Sequence, residues 1–173
     1  MKTVVIYHSQ TGFTKRYAQW IAEAAGADRL TLAEAKKEKL DGYDTIVYGG
    51  WACGGGISKL RWFLAHMEGW AGKKLIVFCV GGSPAESPDI EPALRKNFTQ
   101  AQLQRVRVFY CPGGFSYEKM PLPSRLMMRL FRTALRGKKG KTEAEEQMLD
   151  MISSSYDISD RRYIEPIVNA IRE

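Results

Sequence analysis

The side chains best suited to chemistry are gathered in Tyr7-His8-Ser9-Gln10-Thr11-Gly12-Phe13-Thr14-Lys15. Ser9, Thr11 and Thr14 supply hydroxyl donors, Gln10 an amide, and Gly12 a point where bare backbone approaches a ligand closely. Such a set, with no acid in it, suits an anion. The stretch follows Thr3 to Tyr7, apolar and largely β-branched like a buried strand, and precedes Phe13, Tyr17, Trp20, Ile21 and Ala24 at helical spacing. It is therefore a strand-to-helix turn. There the first N–H groups of the helix lack internal partners and the helix dipole is positive, so Ser9 to Thr14 are expected to hold a phosphate. The plainer alternative is a hydroxyl-capped helix start. Neither a Walker loop nor a three-glycine dinucleotide fingerprint is present.

Two more loops of similar character follow at regular intervals. Arg29 to Ala33 alternates like an exposed second strand, and Thr45 to Tyr48 reads as a third that runs into Gly49-Gly50-Trp51-Ala52-Cys53-Gly54-Gly55-Gly56. After a helical segment through Leu60, Phe63, Leu64 and Met67, the apolar run Leu75 to Val80 opens into Gly81-Gly82-Ser83-Pro84. A helix through Ile90, Leu94 and Phe98 precedes a fifth strand, Val106 to Cys111, which ends in Pro112-Gly113-Gly114. Strands alternating with helices imply a parallel sheet covered on both faces. In such sheets ligands bind beyond the carboxyl ends of the strands, where the winding reverses. The loops after strands one, three and four are the ones placed to line that crevice. Three consecutive glycines are costly to order, which favours close packing against a ligand at Gly54 to Gly56 over a merely flexible turn.

A chain of 173 residues with 45% hydrophobic content suits one domain, residues 1–173, with a sizeable core. No apolar run approaches a membrane span and no leader precedes the first strand, so an unsecreted, cytoplasmic protein is expected. Cys53, Cys79 and Cys111 are odd in number and lack metal-ligand spacing, as free thiols in a reducing compartment would be. No metal site is expected, and no catalytic residue is assigned.

The net charge of +7 is local. Between Phe115 and Lys141 eight basic residues face the single acid Glu118, and the rest of the chain is balanced. Ser124 to Arg136 reads as a helix on which Arg125, Arg129, Arg132 and Arg136 form one stripe, opposite an arc of Leu126, Met127, Met128, Leu130, Phe131, Ala134 and Leu135. With the Lys-rich stretch behind it, this has the composition of an interfacial helix, giving a peripheral membrane contact through residues 124–141. The alternative is an apolar arc packed on the body with solvated arginines. Nucleic acid is not favoured, because no aromatic platform or recognised motif accompanies the charge.

Other chemistries fare worse. Gly81-Gly82-Ser83-Pro84-Ala85 misses the nucleophile elbow at its last position, and Pro84 opposes the required helix turn. His8 and His66 are the only histidines, and His8 reads as a supporting residue beside the loop.

Ser-x-Thr-Gly-x-Thr after the first strand resembles the flavodoxin family, whose loop of this form wraps the phosphate of FMN. The resemblance extends over roughly Met1 to Pro112 and implies a three-layer α/β fold with a five-stranded parallel sheet in the order 2-1-3-4-5. It also implies FMN contacts from Ser9, Gln10, Thr11, Gly12, Phe13 and Thr14 at the phosphate, and from Trp51, Ala52, Cys53, Gly54, Gly55, Gly56, Gly81, Gly82, Ser83 and Pro84 around the ring. Trp51 either stacks on the flavin or belongs to the core. The basic helical insertion, residues 113–155, is similar to that of the menaquinone-dependent protoporphyrinogen oxidase branch, through Gly113 to Tyr117, Met127-Met128-Arg129 and Ser155-Tyr156-Asp157. That branch implies a hydrophobic, porphyrinogen-like substrate and a quinone acceptor. The other reading is an electron carrier that docks on a redox partner protein through Arg125, Arg129, Arg132 and Arg136.

Overall fold

A computed structural model describes residues 1–143 and 145–173 with their side chains, and Ala144 by its backbone. The first strand, β1 (Thr3–Tyr7), is buried along its whole length and leads into α1 (Phe13–Ala25). Strand β2 (Asp28–Thr31) is followed at once by the short α2 (Leu32–Ala35). The alternating pattern through Ala33 is cut short because Thr31 and Glu34 close a reciprocal capping box that starts a helix.

Strand β3 (Thr45–Cys53) runs five residues beyond its apolar stretch and folds back as the short β4 (Gly56–Ile57). Cys53 pairs with Gly56, leaving Gly54 and Gly55 as a two-residue hairpin loop with φ 55° and 80°. Both values are positive, as a type I′ turn requires. The hairpin thus accounts for these two glycines without a ligand.

Helix α3 (Leu60–His66) leads to β5 (Lys74–Gly81), then to two short helices, α4 (Ile90–Arg95) and α5 (Gln100–Leu103), and to β6 (Val106–Pro112). The helix expected through Phe98 stops at Arg95, and a separate short one begins beyond it, where Thr99 and Gln102 form a second capping box. The parallel sheet has the order β2-β1-β3-β5-β6, with β4 attached to β3. Counting the five parallel strands alone, this is the expected 2-1-3-4-5.

Successive strand residues point to opposite faces, so apolar runs require cover on both sides. Val4, Ile6, Ile46, Tyr48 and Val77 pack with Phe63, Met67 and Trp70 on one side. Val5, Val47, Ile76 and Phe78 pack with Tyr17 and Ile21 of α1 on the other, together with Ile167 and Ile171 of the last helix.

Beyond β6 the chain forms β7 (Gly114–Phe115), α6 (Leu122–Gly137), α7 (Glu143–Met151) and β8 (Tyr156–Asp157), and ends in α8 (Glu165–Arg172). Strands β7 and β8 pair antiparallel, Gly114 with Asp157 and Phe115 with Tyr156. This clasp closes the insertion at its base. Among the described residues no helix is long and apolar enough to cross a membrane.

Helix α6 leaves most of its apolar arc unburied, and its arginine stripe is divided. Arg125 donates to the carbonyls of Glu118 and Met120, and Arg132 donates to the Ser153 carbonyl while lying over the Tyr117 ring. Two of the four stripe arginines therefore face the protein. Of the apolar arc only Leu135 is buried.

Candidate functional site

The three loops meet at the carboxyl edge of β1, β3 and β5 because these strands are neighbours in register: Tyr7 pairs with Gly49, and Gly49 with Phe78. Parallel strands that end together deliver their following loops to one place.

At the start of α1, Gly12 takes φ 101°, its N–H donates to the Ser9 hydroxyl at 3.2 Å, and no side chain caps the helix. The first turn contains no acidic residue. The leading amides of a 13-residue helix are thus left to an anion. Gln10 reaches across to α6, where its amide donates to the Ser124 hydroxyl at 2.9 Å.

A cavity of about 350 Å³ opens beside this turn, within the usual range of small-molecule sites of roughly 300–1,000 Å³. Gln10, Thr11, Phe13 and Thr14 form one end; Trp51 to Gly54 and Val80 to Gly82 form its walls; Gly114, Phe115, Met120, Ser124, Met127 and Met128 cover it. A second cavity of about 530 Å³ shares Ala52, Gly81 and Gly82 with the first and extends past Gly55, Gly56 and Ser83 towards α4 and the Met148 and Met151 side chains of α7. The residues named from sequence are thereby divided. Ser9 supports Gly12, and the first cavity takes ten others. Gly55, Gly56 and Ser83 line the second, while Pro84 is exposed and lines neither.

Trp51 is half-buried, with its ring tilted against His8 at 4.5 Å between centroids. Burial, followed by Lys59 and Lys36, lowers the His8 pKa, so this ring is neutral at pH 7. The loop after β5 is held by two tyrosines. Tyr110 donates to the Ser83 carbonyl at 2.9 Å and Tyr156 to the Gly82 carbonyl at 2.8 Å. Asn97 secures the hairpin by accepting from the Ile57 N–H at 3.2 Å.

Sequence reasoning missed Phe115, Met120, Tyr110, Tyr156 and Asn97 as parts of this arrangement. Gly113-Gly114, a further glycine pair at the carboxyl end of a strand, was the available signal for Phe115. Nothing local marks a tyrosine whose partner lies 74 positions away.

A family profile described as flavodoxin domain matches residues 4–144. The chain belongs to the flavodoxin-domain family. Its fold is also that of a WrbA-like flavodoxin from Agrobacterium tumefaciens, with 23% identity, a TM-score of 0.50, and coverage of 75% of this chain and 91% of that one. Also found are a flavodoxin from the domain Archaea at 18% identity and a TM-score of 0.43, covering 88% of this chain and 97% of that one, and oxidised flavodoxin 2 from Bacillus cereus at 18% and 0.43, covering 88% and 96%. No curated protein matches the chain at a significant level.

FMN is the cofactor that this family membership brings to the site. The residues present fit it. An uncapped helix start free of acids suits the phosphate, the hydroxyls of Thr11 and Thr14 lie beside it, and an apolar, partly aromatic chamber continues from there at a size suited to a flat ring system.

Proposed function

We propose that this flavodoxin-family protein is an FMN-dependent oxidoreductase acting on a hydrophobic, porphyrinogen-like substrate with a quinone as acceptor. The observation that carries the reading is the cover of the FMN chamber: Phe115, Met120, Met127 and Met128, all from the region after β6, make an apolar roof, and a second chamber adjoins through Ala52, Gly81 and Gly82. Bound FMN would accept an electron pair from one molecule and pass it to another. In each turnover the substrate loses two electrons and two protons, and the quinone takes up the equivalent as quinol.

The chain's own part is binding and positioning. Ser9, Gln10, Thr11, Gly12, Phe13 and Thr14 hold the phosphate, through amides at the start of α1 and through hydroxyls. Trp51, Ala52, Cys53 and Gly54 on one wall of the chamber, and Gly81 and Gly82 on another, would hold the ring. Gly55, Gly56 and Ser83 face the adjoining chamber, and Pro84 shapes the turn behind them. The methionine side chains, flexible and apolar, conform to a bulky partner and exclude water.

The exposed Arg129 and Arg136 favour a second reading, an electron carrier that docks on an acidic redox protein. Oxidation of protoporphyrinogen with a quinone acceptor, run beside electron exchange with a flavodoxin reductase, separates the two. Turnover with porphyrinogen supports the enzyme. Activity in the reductase assay alone supports the carrier.

A further inference from the structure

Large apolar side chains left in solvent are concentrated on one helix. Of the eight such residues described, Leu122, Leu126, Met127, Leu130 and Phe131 belong to α6, with Leu126 60% and Leu130 64% exposed. Leu122, Leu126 and Leu130 lie four residues apart and so form a line along the outer face. The inner face holds the helix down mostly through polar bonds: Ser124 to Gln10, Arg125 to two carbonyls and Arg132 to a third. Among the described residues nothing covers the outer arc.

The charge that α6 itself carries has one sign. Arg129 and Arg136 run along one edge of the arc, Lys119 precedes the helix and Lys139 follows it. All four are exposed, and none of them pairs with a carboxylate among the described residues. Helix α6 contains no acid; Glu118, just before it, is engaged by the Ser116 and Ser155 hydroxyls, and Glu145 of α7 is paired with Lys138 at 2.6 Å.

We propose that α6 seats this protein on a bilayer surface containing anionic lipid. Leu122, Leu126, Met127, Leu130 and Phe131 enter the boundary between headgroups and acyl chains, while Arg129, Arg136, Lys119 and Lys139 meet the lipid phosphates. A second copy is disfavoured, because it would bring two basic, acid-free helices face to face. The long aliphatic stems of Arg129 and Arg136 let their guanidinium groups reach outward from the edge of the arc as snorkelling requires. The contact expected from the whole arginine stripe is thus reassigned. Arg125 and Arg132 serve the protein, and the leucine line serves the membrane. Met127 also lines the FMN chamber, so docking by this face sets the roof of that chamber at the membrane boundary. The docking surface itself does not depend on which substrate the chamber takes.

The test is sedimentation of the full chain, loaded with FMN, with vesicles of phosphatidylcholine containing phosphatidylglycerol, and with phosphatidylcholine alone. Binding should require phosphatidylglycerol and weaken as sodium chloride is raised. Leu126→Ser with Leu130→Ser should lower partitioning about tenfold or more, the scale of withdrawing two leucines from the interface. Arg129→Gln with Arg136→Gln should lower it several-fold in low salt. Retained FMN binding checks that each variant is folded, and the salt titration of the unaltered protein stands without any variant. The proposal is overturned by absence of binding to the anionic vesicles, or by binding that survives the leucine changes. It is equally overturned by a dimer in size-exclusion chromatography that those changes convert to monomer.

Discussion

The Tyr156 hydroxyl donates to the Gly82 carbonyl at 2.8 Å and so ties the far end of the insertion to the loop that walls the cavity of about 350 Å³. Burial pushes this hydroxyl up to about 12, so it keeps its proton and its role as donor throughout the physiological range. The Tyr156 ring also stacks on Phe115 at 6.1 Å. Tyr156→Phe keeps the stack and removes the bond. FMN affinity, read from quenching of flavin fluorescence, should fall about two- to tenfold, the worth of one ordinary hydrogen bond. An unchanged dissociation constant would mean that the loop is set without it.

Gly12 holds a φ of 101°, and a Cβ there would meet nothing within 4 Å. The cost of Gly12→Ala is therefore conformational and not steric, on the order of 1–2 kcal/mol. The variant should lose a few degrees in thermal unfolding and bind FMN more weakly, because the amides of the turn move with the backbone. Wild-type values for both would show that the turn tolerates an ordinary residue.

Arg16 bonds Asp157 at 2.6 Å and the Ser159 hydroxyl at 2.5 Å, joining α1 to the clasp. Partial burial alone would raise the Asp157 pKa, but bonds from Ser159 and Arg16 outweigh it and hold the carboxyl below its ordinary range. A carboxylate with a depressed folded-state pKa stabilises the fold above its unfolded pKa of about 3.9 and loses that contribution as pH falls through the folded value. Since both partners are well exposed, the pair contributes at most about 1 kcal/mol. Asp157→Asn should be less stable than wild type in urea at pH 7, with the difference shrinking as pH is lowered below the ordinary carboxylate range and through the folded-state value. A difference that stays constant with pH would assign the loss to shape instead.

The thiols offer a separate probe of the hairpin. Cys79 and Cys111 are buried, and burial pushes the Cys79 thiol up to about 12, whereas Cys53 is exposed on the wall of the chamber. A thiol reagent should modify Cys53 alone in the native protein, and saturating FMN should slow that reaction severalfold. Equal rates with and without FMN would remove Cys53 from the ring contact.

The parallel sheet and the convergence of three loops were legible because both follow from local pattern: apolar runs make buried strands, and loops after neighbouring parallel strands share an edge. A type I′ hairpin needs Gly54 and Gly55 with or without a ligand, so the cost of ordering them does not by itself point to one. The roof of the chamber and the orientation of α6 were not legible. Helical spacing groups Arg125, Arg129, Arg132 and Arg136 in one stripe, but it does not reveal that carbonyls of Glu118, Met120 and Ser153 wait for two of them. Those acceptors come from tertiary placement, and they turn the apolar arc outward.

The most direct test of the account is a titration of the purified protein with FMN, followed by flavin fluorescence, with inorganic phosphate as competitor. The account predicts saturation at one FMN per chain with quenching, and an affinity that weakens as phosphate is added and competes for the proposed phosphate site at the start of α1. A protein that leaves FMN fluorescence unchanged and binds none would contradict it.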